Sequence, residues 1–199
     1  MPTRRRGAND TATRRELLDA TARIMVADGY AAASARRVAA EAGVKPALVH
    51  YYFPTMDDLF VAVLRDGTEG HFDSHRRALA GPRPLHALWE LAKDAQRNSL
   101  MMEFFALANH RKAIRAELVA YATRFREVQL TALTFILRQY GVDTDEFPPV
   151  AVSLLLSTVT TILVMESNLD LTLGHDETIA LIERYLDGLE PPATAAAGD

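Results

Sequence analysis

Residues 46–52 read Pro-Ala-Leu-Val-His-Tyr-Tyr, and at helical spacing their side chains divide into two sets. Val49 and Phe53, four apart, can face inward above Val44; Ala47, His50 and Tyr51 then share an outer face at i, i+3, i+4. Outer faces of helices are usually charged. This one is small, aromatic and hydrogen-bonding, which suits a helix set into a nucleic-acid groove where it reads bases and touches phosphates. An aromatic surface packed against the rest of the protein would carry the same residues. His71 and His75, also four apart, could turn both imidazoles toward one metal. No third ligand stands nearby, so neither a metal nor a cofactor is expected. His86 and His110 could hydrogen-bond a polar ligand group or be satisfied within a core. Gly-x-Gly-x-x-Gly, the P-loop, His-Glu-x-x-His and Gly-x-Ser-x-Gly are all absent. Asp73-Ser74-His75 holds the letters of a triad, but neighbours on a helix point in different directions and cannot form a relay. With no cysteine in the chain, thiol catalysis, disulfides and cysteine-ligated zinc are excluded. The sequence is not expected to encode an enzyme.

Charge supports the nucleic-acid reading locally. Residues 1–53 hold nine Arg or Lys against five Asp or Glu, a balance of +4, while the remaining residues carry −8. A basic quarter on an acidic body points to a local polyanion site, although ordinary scatter of surface charge would also produce it. The 199 residues, 49% hydrophobic and 24% charged, suffice for one or two folded domains. The basic start, Arg4-Arg5-Arg6, runs into polar residues and is no secretory signal, so a cytoplasmic location is expected.

The elements that must hold the 34–53 segment are helical, and strand signals are nearly missing: the fold class is all-α. Leu17, Leu18, Ile24 and Met25 make one helical stripe, opened by a capping-box pattern at Thr13-Arg14-Arg15-Glu16 and closed at Gly29. Ser34 can cap a short helix with Val38, Ala39 and Ala42 that stops at Gly43, and Pro46 suits the first position of the next. Two short helices joined by a glycine turn are the spacing of a helix-turn-helix. Thr55-Met56-Asp57-Asp58 starts a helix carrying Leu59, Phe60, Val63 and Leu64, and further helices are expected at about 84–98, 99–109, 112–140, 149–167 and 176–189. From Phe147 to Met165 no residue is charged. Pro148 and Pro149, five hydroxyls and the lack of flanking Lys or Arg argue for burial in a core or a subunit interface, not a membrane span. The expected division is a disordered basic arm over 1–10, a helix-turn-helix domain over 11–54, a helical ligand-binding and dimerisation domain over 55–190, and a disordered tail over 191–199.

The order Thr13…Leu17-Leu18-x-Ala20, Gly29-Tyr30-x-x-x-Ser34, Val38-Ala39-x-x-Ala42-Gly43-Val44 and Val49-His50-Tyr51-Tyr52-Phe53-x-Thr55…Leu59 resembles the DNA-binding domain of the TetR family. The resemblance covers Thr13 to Leu64; the rest agrees only in its architecture of five helices. It implies a transcriptional regulator, most readily a repressor, that binds a double-stranded, pseudo-palindromic operator as a homodimer and is released by a small apolar or amphipathic effector. By the same resemblance Ser34, Ala35 and Arg36 lie at the DNA backbone and groove edge. Pro46, Ala47 and Leu48 stand at the base-reading part of the recognition helix, and His50, Tyr51, Tyr52 and Thr55 contact phosphates or bases. Lys45 replaces the usual small polar cap and adds a phosphate-seeking cation, while Met56 stands where lysine is common. Trp89, Met101, Met102, Phe104, Phe105, Tyr121, Phe125, Phe135 and Met165 would suit a deformable apolar pocket, though any one of them serves more commonly as plain core. Leu155, Val159, Ile162, Ile179, Ile182 and Leu186 would form the dimer interface. Two alternatives stay open: a ligand-independent regulator whose C-terminal helices only dimerise, and a helical enzyme with an accessory helix-turn-helix.

Overall fold

Local sequence signals set most of the helix ends. A computed structural model describes residues 3–190, with side chains from Asp10 onward, and contains no strand among them. Helix α1 (Thr3–Asp28) ends at Gly29, whose positive φ of 80° favours glycine and lets its N–H bond Met25 O. A 3-10 turn (Tyr30–Ala32) leads to α2 (Ala35–Glu41), where the Ser34 hydroxyl accepts from Arg37 N. Gly43, also at positive φ, ends α2, and α3 (Pro46–Tyr52) starts on its proline, with no side-chain cap from Lys45. Then follow α4 (Met56–Leu79), α5 (Pro84–Ala92), α6 (Ala95–Ala108), α7 (Lys112–Gln139), α8 (Pro149–Ser167) and α9 (His175–Leu189). At the head of α4, Thr55 N donates to Asp58 Oδ2 while Asp58 N donates to Thr55 Oγ1, a reciprocal cap.

Three expectations need correcting. The helix expected to open at Thr13 already runs from Thr3, so residues 3–10 of the expected disordered arm are helical and Thr13 is interior. No proline interrupts residues 3–12, and the arginines and alanines there favour the helix enough to carry it through Gly7 and the weaker formers Asn9 and Asp10. The single helix expected over 84–98 is two: α5 stops at Ala92, and the Asp94 carboxylate accepts Arg97 N at 3.0 Å to start α6. Aspartate bonds backbone N–H groups better from a cap than from a helix interior. The tail over 191–199 lies outside the described residues.

The packing division also differs from the expected boundary after residue 54. One compact unit comprises Met1–Gly70 with Ser99–Ala122, the other His71–Asn98 with Thr123–Asp199. In the first, Leu17, Leu18, Val38, Val49 and Phe53 share a core with Leu59 and Leu64 of α4, Phe104 and Leu107 of α6, and Ile114 and Leu118 of α7. One long helix and two of seven residues leave that core open, and later segments complete it. Polar ties bind those segments: Glu103 Oε2 accepts Tyr30 N at 2.7 Å, Arg65 makes two 2.8 Å bonds to Glu117, and Arg111 pairs with Asp57.

The second unit is built around Ala78, Leu85, Leu88, Trp89, Leu133, Ile136, Leu137 and Leu186. Its α9 end is held by a buried carboxylate. Glu190 accepts from Leu85 N at 2.8 Å, His86 N at 3.0 Å and Tyr140 Oη at 2.9 Å, and thereby caps α5 from outside that helix. Burial raises the Glu190 pKa, but these donors and the His86 ring outweigh it and hold it below the usual range.

Candidate nucleic-acid interface

The 34–53 segment takes the form its spacing predicts. Val49 and Phe53 are buried, Val44 packs against the same core, and Pro46, Ala47, Leu48, His50 and Tyr51 are exposed, with Ala47 and Tyr51 directly opposite Val49 on the helix. Tyr51 is 73% exposed, which no core residue would be. Its ring meets Tyr52 edge to face at 5.1 Å, and the Tyr52 hydroxyl donates to the Asp10 carboxylate. That bond, and secondarily burial, raises the phenol pKa above its ordinary value. Asp10 thus braces the recognition helix from α1. Sequence reasoning missed it because 42 residues separate the pair.

The arginines of the basic quarter divide into two groups. Arg15 pairs with Asp19 and Asp66, Arg23 with Glu16 and Glu41, and Arg37 with Asp28. Arg14 lies over the Phe53 ring at 5.3 Å. Arg36 and Lys45 are exposed, and neither side chain has a partner among the described side chains. Arg36 stands on α2 and Lys45 at the N-cap of α3 as exposed cations, the charge a phosphate backbone attracts. Ala35 is half-buried and packs on the core, and Ser34 is exposed with its hydroxyl at the cap. The Thr55 hydroxyl is engaged with Asp58 on both sides, donating to Oδ2 at 2.7 Å and accepting from N at 3.1 Å.

The residues expected to line a pocket are distributed over both units. Phe104 is 1% exposed inside the core of the first, with Met101 packed against that core; Met102 and Tyr121 are half-buried, and Phe105 is exposed. In the second, Trp89 is 2% exposed, its ring under the Lys93 ammonium at 5.3 Å, and its Nε1 finds no acceptor among the described residues. Met165 is exposed. Phe125 meets His71 and His75, both at 4.8 Å between centroids, and both imidazoles are buried. Burial first, then the charges of Arg97 and His75, pushes His71 down to about 2. Burial and Arg97 bring His75 to about 4, against the opposing effect of its Nδ1 bond to His71 O. Both rings are neutral at physiological pH. Among the described residues no three His, Cys, Asp or Glu side chains converge to hold a metal. A separate cavity of about 270 Å³ in the second unit is lined by Leu79, Pro82, Phe135, Gln139 and Tyr140 among others, and of the expected pocket residues it includes Phe135.

The expected interface residues also separate. Leu186 belongs to the core, and Val159, Ile179 and Ile182 pack against it. Leu155, 67% exposed, and Ile162 face outward. Beside them on α8 stand exposed Leu154 and Met165, and α9 adds Leu181 and Tyr185. The hydroxyls of Thr158 and Thr161 bond Leu154 O and Ser157 O within α8, so that face offers almost no free polar group. Among the described residues α8 is the one helix long and apolar enough to cross a membrane, with mean hydropathy 1.8, and only 17% of its apolar window is buried.

Comparison with known proteins gives these features a context. Residues 17–63 match the family model described as bacterial regulatory proteins, tetR family. The HTH-type transcriptional regulator BetI of Rhizobium meliloti (strain 1021) is 30% identical over 129 residues, 60% of this chain and 64% of the relative, so the match spans less than two thirds of that protein. A transcriptional regulator from Saccharomonospora viridis, solved in complex with choline, has the same fold, with a TM-score of 0.70, 20% identity, and coverage of 89% of this chain and 95% of the other. So does the fatty acid degradation regulator FadR from Bacillus halodurans, with a TM-score of 0.67, 17% identity, and coverage of 91% and 96%.

Proposed function

We propose that this chain, whose residues 17–63 match the tetR family model, is a transcriptional regulator of that family: a cytoplasmic homodimer that binds a pseudo-palindromic operator and is released by a small apolar or amphipathic effector, in the manner of a repressor. The observation that carries the DNA-binding reading is the exposed face of α3, with Tyr51 projecting and Arg36 and Lys45 without partners among the described side chains. A folded chain gains nothing internally from that arrangement, whereas a duplex would cover the aromatic face and neutralise both cations. Dimerisation is supported by the outward apolar face of α8 and α9, which a single copy leaves in water. A small-molecule effector is supported by the choline bound to one fold neighbour and the naming of another for fatty acid degradation. The placement of Phe104 and Trp89 within cores favours, on the other side, a regulator whose later helices only dimerise.

The test is selection of duplexes by the full chain from a random pool, followed by sedimentation with and without the selected site. The proposal expects a dimer on inverted half-sites whose centres lie roughly 34 Å, or a multiple of it, apart. A monomer on a single half-site would overturn the dimeric reading. Screening choline, fatty acids and other apolar effectors for loss of operator affinity then separates the two roles of the later helices. Unchanged affinity throughout would favour the ligand-independent one.

A further inference from the structure

The exposed face of α3 has an unusual chemistry for reading bases. The helix contains no Arg, Asn, Gln, Asp or Glu, so it lacks every side chain that makes a two-point hydrogen-bonded match to guanine, adenine or cytosine edges, apart from what Lys45 could offer at its cap. It presents aliphatic carbon instead. Ala47 and Leu48 are exposed while Val49 is buried, and Leu48 keeps 37% of its surface in solvent. His50 and Tyr51 beside them can each supply single hydrogen bonds, which discriminate poorly between bases.

In the major groove one base feature is apolar, the C5-methyl of thymine. Resting on the DNA-binding reading above, we infer that Ala47 and Leu48 recognise thymine methyl groups, so that the half-site is specified at those positions by methyl contact and not by hydrogen bonds to guanine or adenine. Lys45 at the N-cap of the same helix and Arg36 on the preceding one, both exposed and without a partner among the described side chains, select a polyanion as the occupant over an apolar protein surface. Leu48 and Ala47 then determine specificity, and the two cations set overall affinity.

The experiment uses the full chain and duplexes enriched from a random pool. Each thymine is replaced in turn by deoxyuridine, which removes the methyl and leaves every hydrogen-bonding group in place. One or two positions per half-site should lose affinity by about fourfold each, the factor expected for one buried methyl. With Leu48→Ala, and separately Ala47→Gly, the deoxyuridine penalty at the covered position should fall below twofold. Leu48 is exposed, so its truncation leaves the core intact. Deoxyuridine without effect at every position overturns the methyl reading and leaves DNA binding standing, and a 7-deazaguanine penalty at guanines of the same half-site would then assign the readout to Arg36 or Lys45. A deoxyuridine penalty that neither substitution reduces overturns the assignment to these residues. If no duplex is enriched and random duplex is not bound at low salt, the DNA-binding reading itself fails, and this inference fails with it.

Discussion

Replacing Arg36 by alanine should flatten the salt dependence of DNA binding, whereas replacing the adjacent Arg37 should not. The two differ in what they already touch. Arg37 is paired with Asp28, while Arg36 is exposed without a partner among the described side chains. A cation that neutralises one phosphate contributes about 0.9 to the slope of log affinity against log salt on double-stranded DNA. Loss of Arg36 from both protomers of a dimer therefore removes about 1.8 from the slope. Between 50 and 200 mM salt that amounts to roughly a tenfold smaller loss of affinity than for the unmodified protein. Lys45→Ala should behave alike, and the double substitution should remove about twice as much. Fluorescence anisotropy on one labelled duplex across four or five salt concentrations measures the slope directly. Arg37→Ala serves as the control, and a slope change there equal to that of Arg36→Ala would refute the sorting of free from committed cations. An unchanged slope for Arg36→Ala would mean that α2 does not reach the phosphates.

Other predictions concern the second unit. Leu155→Glu should leave the stability of a single chain nearly unchanged, because the side chain is already exposed, yet yield monomers in sedimentation by placing an unpaired charge in the interface. Glu190→Ala should lower stability by about 3 kcal/mol in denaturant titration, since it strips acceptors from buried N–H groups at the head of α5. His71 and His75 have folded pKa values below the unfolded value, so they favour the fold above about pH 6.5 and that contribution is lost as pH falls through the interval down to about 4 for His75 and about 2 for His71. Acidification from pH 7 to 5 should cost up to about 2 kcal/mol for each imidazole, and His75→Gln should roughly halve the loss seen in urea titrations at the two pH values.

Much of the interface was legible in the sequence because the signals behind it are local. The 3.6-residue period alone put Val49 and Phe53 inside and Ala47, His50 and Tyr51 outside, and Gly29, Ser34, Gly43 and Pro46 mark helix ends through their own backbone or hydroxyl chemistry. Asp94 and the reach of α1 back to Thr3 show the weaker side of the same logic: caps and propensities differ by fractions of a kcal/mol, too little to decide a boundary. What only the tertiary structure decided is partnership. Arg36 and Arg37 are adjacent and chemically identical, and it is the approach of Asp28 that commits one of them. Phe104 is as apolar as any pocket residue, and α6 packing on the helix-turn-helix makes it core. Leu186 and Leu155 read alike on amphipathic and uniformly apolar helices, yet one turns into the second unit and the other out to solvent. Periodicity along a helix ranks which side chains leave water. Which surface receives them depends on how separate segments meet, and no local pattern encodes that distance.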